Sequence, residues 1–224
     1  MISAQTGVLD QVDGSCKLQC GETTVICSVT GPIEPKARQE LPSQLALEVV
    51  VRPCKGVPNT REKLLEDQIR GVVTPVLAKY LYPRQLCQIC FQILESGEPE
   101  DEYNVKELNS CINAAYLALI DSGVALQSSF SSVCVSVLGS NNEILVNPTQ
   151  EQLIKSDSTH ILALEVGSGG KKIQNVLLIE SNGDFTEEIM FNVLSRAEKA
   201  CVEVALELRK AVEDKIKRDF IWKQ

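Results

Sequence analysis

One pattern limits the fold of this chain more than any other: a run of short strands followed by a helix occurs twice. In the first pass, β-rich runs fall at 7–9, 15–20 and 23–29, separated by Asp13-Gly14 and Gly21-Glu22. Asp-Gly between apolar runs is a strong hairpin signal. A polar loop over 31–42 carries Lys36 and Arg38, and a strand over 45–52 ends at Pro53. Asn59 and Glu62 have capping-box spacing, and Leu65, Ile69, Val72, Val73, Val76 and Leu77 follow at helical intervals. Pro75 lacks a backbone donor, so a kink is expected there. The strand over 85–94 sets Leu86, Gln88, Cys90, Gln92 and Leu94 on one face. After an acidic loop over 95–102, Asn104 and Glu107 repeat the capping spacing. They open a helix through Leu108, Ile112, Ala115, Tyr116 and Leu119 that stops at Ser122-Gly123.

The second pass has strands at 131–138, 143–146, 159–166 and 172–180, with turns at Asn141-Asn142 and over 167–170. Asp184 and Glu187 open a third helix, whose apolar positions Val193, Leu194, Ala197, Cys201, Val204, Leu208 and Val212 run nearly to the end. The pentapeptide Leu-Ala-Leu-Glu-Val stands at both 45–49 and 162–166. These features predict a two-part α+β domain with halves at about 1–103 and 104–224, each a curved sheet backed by helices.

Charge narrows the function classes. Lys and Arg number 22 against 30 Asp and Glu, a net charge of −8. Phosphate binding draws on local positive charge, so a chain this acidic does not bind nucleic acid over its whole surface. An RNA or DNA role would come from a local basic patch or from partner chains. No apolar run approaches the roughly 20 residues of a membrane span, and the N-terminus lacks a basic cluster followed by an apolar core. Nine cysteines, most inside apolar runs, read as reduced, buried thiols. A soluble intracellular protein without membrane partners is expected.

Individual motifs carry little chemistry. Cys87 and Cys90 form a CxxC, but in a strand an offset of three points the thiols to opposite faces, which favours packing over zinc or redox work. Cys16 and Cys20 share a face about 13 Å apart, too far for one zinc. His160, the only histidine, stands at the start of an apolar strand and reads as structural. Gly167-Ser168-Gly169-Gly170 lacks the spacing of a phosphate-binding loop and reads as a turn.

Two charged segments remain. Residues 52–63 carry Arg52, Lys55, Arg61 and Lys63 against Glu62 alone, in a loop that leads into a helix N-terminus. Basic loops and helix N-termini both favour phosphate, so this segment is a candidate backbone contact for nucleic acid, with a solvated loop as the plain alternative. Residues 95–107 carry Glu95, Glu98, Glu100, Asp101, Glu102 and Glu107 against Lys106. Without fixed ligand spacing, this cluster reads as repelling anions rather than holding Mg²⁺.

Several segments resemble the RNase PH family: Gly21-Glu22-Thr23-Thr24-Val25-Ile26-Cys27-Ser28-Val29-Thr30-Gly31-Pro32, the 111–123 helix around Ile112-Asn113-Ala114-Ala115, and the 70–84 stretch with Arg70, Pro75, Pro83 and Arg84. Within that family, the 31–40 and 93–98 segments are similar to ring subunits of the fungal RNA exosome core. The resemblance implies a ribosomal-protein-S5-domain-2-like pseudo-repeat. It also implies a heteromeric ring of RNase PH-like subunits with cap subunits and a separate catalytic nuclease. Such a ring handles single-stranded RNA through a central pore in nucleus, nucleolus and cytoplasm. The loop holding Arg52, Lys55, Arg61 and Lys63 would border that pore.

Active members of the family cradle phosphate with Gly-Thr-Arg just before the Ile-Asn-Ala-Ala helix, where this chain has Lys106-Glu107-Leu108. They also carry aspartates in the segment matching 145–153, where this chain has Asn147 and, near the second, Leu153. Asn is no proton donor of that kind, and Leu has no polar atom. The expectation is a structural subunit with no catalytic residue, metal or cofactor. An active phosphorolytic 3′→5′ exoribonuclease, with Glu151 standing in, is the alternative.

Overall fold

A computed structural model describes residues 2–99, 102–139, 143–167 and 172–220. The first sheet contains β1 (Ile2–Thr6), β2 (Gly14–Cys20), β3 (Thr23–Ile33), β4 (Ala46–Arg52) and β5 (Leu86–Glu95), in the order β1-β2-β3-β5-β4. Its pairs are antiparallel except β4–β5, which is parallel and joined by the crossover helix α1 (Thr60–Val76). After α2 (Val105–Ser122), the second sheet contains β6 (Ser129–Leu138), β7 (Glu143–Val146), β8 (Ser158–Val166) and β9 (Ile173–Gly183). Its order is β7-β6-β8-β9, antiparallel throughout. A short α3 (Gln150–Ile154) follows β7, and α4 (Glu187–Asp219) closes the described chain. The architecture is α+β, as the sequence implies.

The two sheets share one helix. α2 lies on β2 and β3 of the first sheet and on β6 and β8 of the second, and 13 of its 18 residues are buried. A helix covered on several sides must be apolar nearly all round, which explains the run Leu-Ala-Leu-Ile over 117–120. α1 covers β4, and α4 covers β6 and β8 from the other side while reaching β1. Phe91, Phe130, Leu18, Ile69, Ile89 and Ile112 are among the largest fully buried side chains. Each contributes about 1.5–3 kcal/mol relative to exposure.

Several local expectations need correction. Residues 7–9 are not a strand: β1 lies earlier, at Ile2–Thr6. Gly7 takes a left-handed φ of +69°, and the Val8 and Leu9 N–H groups both donate to the Ser15 hydroxyl at 2.9 Å, so this segment wraps a side chain. Pro75 lies inside α1, close to its end. α1 stops one residue later at Val76, so the missing donor falls in the final turn. The Asn59–Glu62 box forms, with the Asn59 N–H donating to Glu62 Oε2 at 2.6 Å. The Asn104–Glu107 box does not, because the Asn104 side chain caps nothing and a residue outside the helix takes its place. α4 is capped by Thr186, whose hydroxyl oxygen accepts from the Ile189 N–H, while the Asp184 N–H is held by the Asp157 carbonyl. The helix α3, capped by Thr149 and Gln152, is an addition. The turn expected at Asn141-Asn142, and that expected over 167–170 except for Gly167, lie outside the described residues.

The cysteines follow their strand positions. Cys87 is buried in the core, Cys90 faces the opposite side of β5, and all nine thiols are free. His160 is held between the Ser158 hydroxyl (3.0 Å to Nε2) and the Ser181 hydroxyl (2.8 Å to Nδ1), with Phe185 edge-on at 4.9 Å. Burial lowers its pKa, as expected for a histidine that supports packing.

Gly14 shows how tightly the shared helix is seated. A Cβ there would lie 2.4 Å from both the Ala118 carbonyl oxygen and the Ser122 nitrogen, so only glycine lets β2 approach α2 this closely. Gly14→Ala is expected to lower stability by about 1–3 kcal/mol through overpacking, read as an earlier urea midpoint. An unchanged midpoint would mean that α2 can move off the sheet at little cost.

Candidate anion seat and basic loop

Charged side chains converge on the N-terminus of α2. The first N–H groups of a helix are unsatisfied and carry partial positive charge, so they attract an anion. Here that anion is the chain's own. The Lys106 N–H donates to Glu98 Oε2 at 3.1 Å and the Glu107 N–H donates to Oε1 at 3.0 Å, so both carboxylate oxygens of Glu98 are engaged. The seat is closed from outside as well, because Glu98 is buried.

Glu107, also buried, turns away from the helix end toward Arg61 of α1. The Arg61 guanidinium donates from Nη2 to Glu107 Oε2 at 2.6 Å and to the Tyr103 carbonyl at 2.9 Å, and from Nη1 to Glu62 Oε1 at 3.3 Å. Burial opposes the guanidinium charge, but the Glu107 and Glu62 carboxylates outweigh it and hold the Arg61 pKa above its usual value. Truncating one partner of such a pair leaves a buried charge exposed to its full desolvation cost. Arg61 therefore clamps α1 to α2.

Beside the seat lies a cleft of about 140 Å³, lined by Gly21, Glu22, Lys106, Ser110, Cys134 and Asn147 among others. Lys106 Nζ does not reach into it freely: it donates to the Gly97 carbonyl at 2.8 Å and sits 3.6 Å from Glu22 Oε2. Asn147 lies at the rim with a left-handed φ of +52°, a conformation that asparagine tolerates better than most residues. Its N–H donates to the Cys134 carbonyl at 2.8 Å. Leu153 is fully buried against Val105 and Cys134. Glu151 is exposed in the first turn of α3.

A buried amide network supports the cleft from beneath. The Ser132 N–H donates to Asn113 Oδ1 at 3.0 Å, Asn113 Nδ2 donates to the Ser132 carbonyl at 3.0 Å, and the Ser132 hydroxyl donates to Asn109 Oδ1 at 2.8 Å. Asn113 thus pairs with the β6 backbone as a neighbouring strand would. This is the structural work of the Ile-Asn-Ala-Ala segment, and nothing in the local sequence pattern points to it.

The four cations of the 52–63 segment separate by environment. Arg52 ends β4 and Lys55 follows in the loop; both are exposed, and neither forms an ion pair among the described residues. Lys63 Nζ reaches Glu66 Oε2 at 2.6 Å while its side chain stays 67 % exposed. Arg61 faces inward as described. The acidic stretch also separates: Glu98 and Glu107 serve internal contacts, Glu95 accepts from the Thr24 hydroxyl at 3.1 Å, and Glu100 and Asp101 lie outside the described residues.

Burial pushes the Glu98 carboxyl up to about 7, against the two N–H groups that favour its charge. A folded-state pKa above the ordinary 4.5 means folding favours the protonated form. That stabilisation is complete below about pH 4.5 and is lost as pH rises through about 7. Glu98→Gln removes the titration and keeps an acceptor. The stability difference between wild type and variant is expected to move in the variant's favour from about pH 5 to about pH 7.5 and then level off. A difference that does not change over this window, measured by urea unfolding, would place the Glu98 carboxyl in water.

Comparison with known proteins places these features in a lineage. Residues 1–125 match domain 1 of the 3′ exoribonuclease family (RNase PH), and residues 131–200 match its domain 2. The chain is 54 % identical over 215 residues to the exosome complex component RRP46 of Saccharomyces cerevisiae, covering 96 % of both chains. It is 31 % identical over 204 residues to exosome complex component rrp46 of Schizosaccharomyces pombe, covering 91 % of this chain and 85 % of that one. The crystal structure of rice Rrp46 superposes with a TM-score of 0.81 at 20 % identity, over 93 % of each chain, which speaks for the fold. With both domains matched in order and the two-sheet fold shared, this chain belongs to the 3′ exoribonuclease (RNase PH) family.

Proposed function

We propose that this chain is a non-catalytic structural subunit of an RNA exosome core ring, supporting 3′→5′ RNA processing and degradation. The near end-to-end relationship to the yeast exosome component carries the assignment to that complex. The internal anion at the start of α2 supports the absence of catalysis. A phosphorolytic enzyme must bring inorganic phosphate to a positive seat, and here Glu98 fills the helix N-terminus while Lys106 is turned to Gly97 and Glu22. A second anion beside Glu98 and Glu107 would meet repulsion rather than attraction. Asn147 and buried Leu153 provide no carboxylate at the other side of the cleft.

The remaining role is positional. Other RNase PH-like subunits are the partners, with cap subunits and a separate nuclease completing the complex in nucleus, nucleolus and cytoplasm. The chain functions as one domain of two pseudo-repeat halves, about 1–103 and 104–224. RNA passes the 52–63 segment, where Arg52 and Lys55 present their charges, Lys63 pairs with Glu66 and Arg61 holds the segment to α2. No cofactor or metal is required for this work.

Two measurements test the reading. The isolated chain, incubated with RNA and phosphate, is expected to release no nucleoside diphosphates. Phosphate-dependent release that is lost in Glu151→Gln would establish the enzyme instead. In the assembled ring, Arg52→Glu with Lys55→Glu is expected to weaken RNA retention and to flatten its salt dependence by about one unit per lost phosphate contact, with the ring intact. Unchanged RNA crosslinking in this double variant would remove the segment from the RNA path.

A further inference from the structure

The cleft beside the seat carries features that the positional role does not use. Asn109 lines it with a fixed orientation. Its Oδ1 is held by the network beneath, accepting from Asn113 Nδ2 at 3.2 Å and from the Ser132 hydroxyl at 2.8 Å, so its Nδ2 is turned toward the cleft. There Nδ2 meets only distant acceptors, Asn147 Oδ1 at 3.5 Å and Cys20 Sγ at 3.9 Å. A well-formed N–H···O bond is about 2.9–3.0 Å long, so this donor is oriented but not satisfied. Ser110 lines the same cleft. It is 1 % exposed, and its hydroxyl has no hydrogen-bond partner among the described residues. Buried polar groups are nearly always paired, so two under-satisfied ones on one cleft point to a ligand that pairs them.

The cleft also sets what that ligand is. Asn109 Nδ2 and Asn147 Oδ1 place a donor beside an acceptor. Their complement is the edge of a cis amide, where a carbonyl oxygen and an N–H lie next to each other. The carbonyl accepts from Asn109 and the N–H donates to Asn147. Size limits the remainder: the volume is about 140 Å³, and a cavity of about 150 Å³ accepts one benzene ring. Cys20 and Cys134 supply soft, polarizable sulfur to the walls, which suits a flat ring. Charge is not invited. Lys106 and Glu22, the two charged residues among the described lining, face each other at 3.6 Å, and Lys106 is also bound to the Gly97 carbonyl. An anion would in addition meet the field of Glu98 at the neighbouring helix end.

We propose that this cleft is a binding site for an uncharged, single-ring heterocycle with a lactam or imide edge, of which uracil is a simple example. The site is separate from the filled seat beside it. It does not rest on the ring reading, because all of its groups belong to this chain.

Titration of uracil into the full ¹⁵N-labelled chain, with the Asn109 and Asn147 side-chain NH₂ resonances followed, tests the proposal. Both are expected to shift saturably. 1,3-Dimethyluracil keeps the ring and loses both N–H groups, and is expected to bind about tenfold more weakly, the worth of one hydrogen bond. Orotate, the same ring bearing a carboxylate, is expected to bind more weakly than uracil. Asn147→Gly tolerates the left-handed backbone at this position and removes the acceptor. It is expected to lower uracil affinity about tenfold with the other amide resonances in place. No saturable shift with uracil, equal binding of uracil and its dimethyl derivative, a preference for orotate, or wild-type affinity in Asn147→Gly would each overturn the proposal.

Discussion

Everything in this structure depends on α2 being shared between two sheets. A helix packed on one sheet keeps a polar face in water, but a helix packed on two has almost none left, and its few polar groups must find partners inside. Asn109 and Asn113 meet that demand by bonding to Ser132 of β6, and Gly14 meets the steric demand by letting β2 come within touching distance of Ala118 and Ser122. The far end of the helix is tied by Asp121, which accepts from the Ser15 N–H at 3.0 Å and pairs with Lys215 of α4. Both halves of the chain therefore meet on one helix.

The same burial decides the electrostatics of its N-terminus. A buried helix end cannot leave its N–H groups to water, so acceptors must be supplied from within the fold or from a ligand. Glu98 supplies them, and Glu107, displaced from the capping role that its spacing suggests, turns to Arg61. A side-chain carboxylate thus sits where a helix N-terminus would otherwise draw an anion from solution. The cleft alongside persists, while its one lysine is bound to Gly97 and Glu22.

Much of the fold was legible in the sequence because strand and helix periods are local. Alternation placed β5 and separated Cys87 from Cys90, and helical spacing found α1, α2 and most of α4. What failed was nonlocal. β1 carries only Ile2 and Ala4 as apolar residues, and its strand state comes from pairing with β2. α3 is a single turn held by its caps, too short for a periodic signal. The cap on α2 comes from Glu98, several residues upstream across a loop, where no spacing rule looks. Arg61 read as one of four equivalent cations, because charge in a polar segment looks solvated until its buried partner, 46 residues away, is known.

The seat at the start of α2 is filled by the chain's own carboxylate, which is expected to keep phosphate out. Inorganic phosphate can be titrated into the ¹⁵N-labelled chain while the Lys106 and Glu107 amide resonances are followed. The expected result is that neither amide moves at physiological phosphate or well above it, at a pH where Glu98 is ionised. A saturable shift of both amides, with the seat yielding to the added anion, would contradict it.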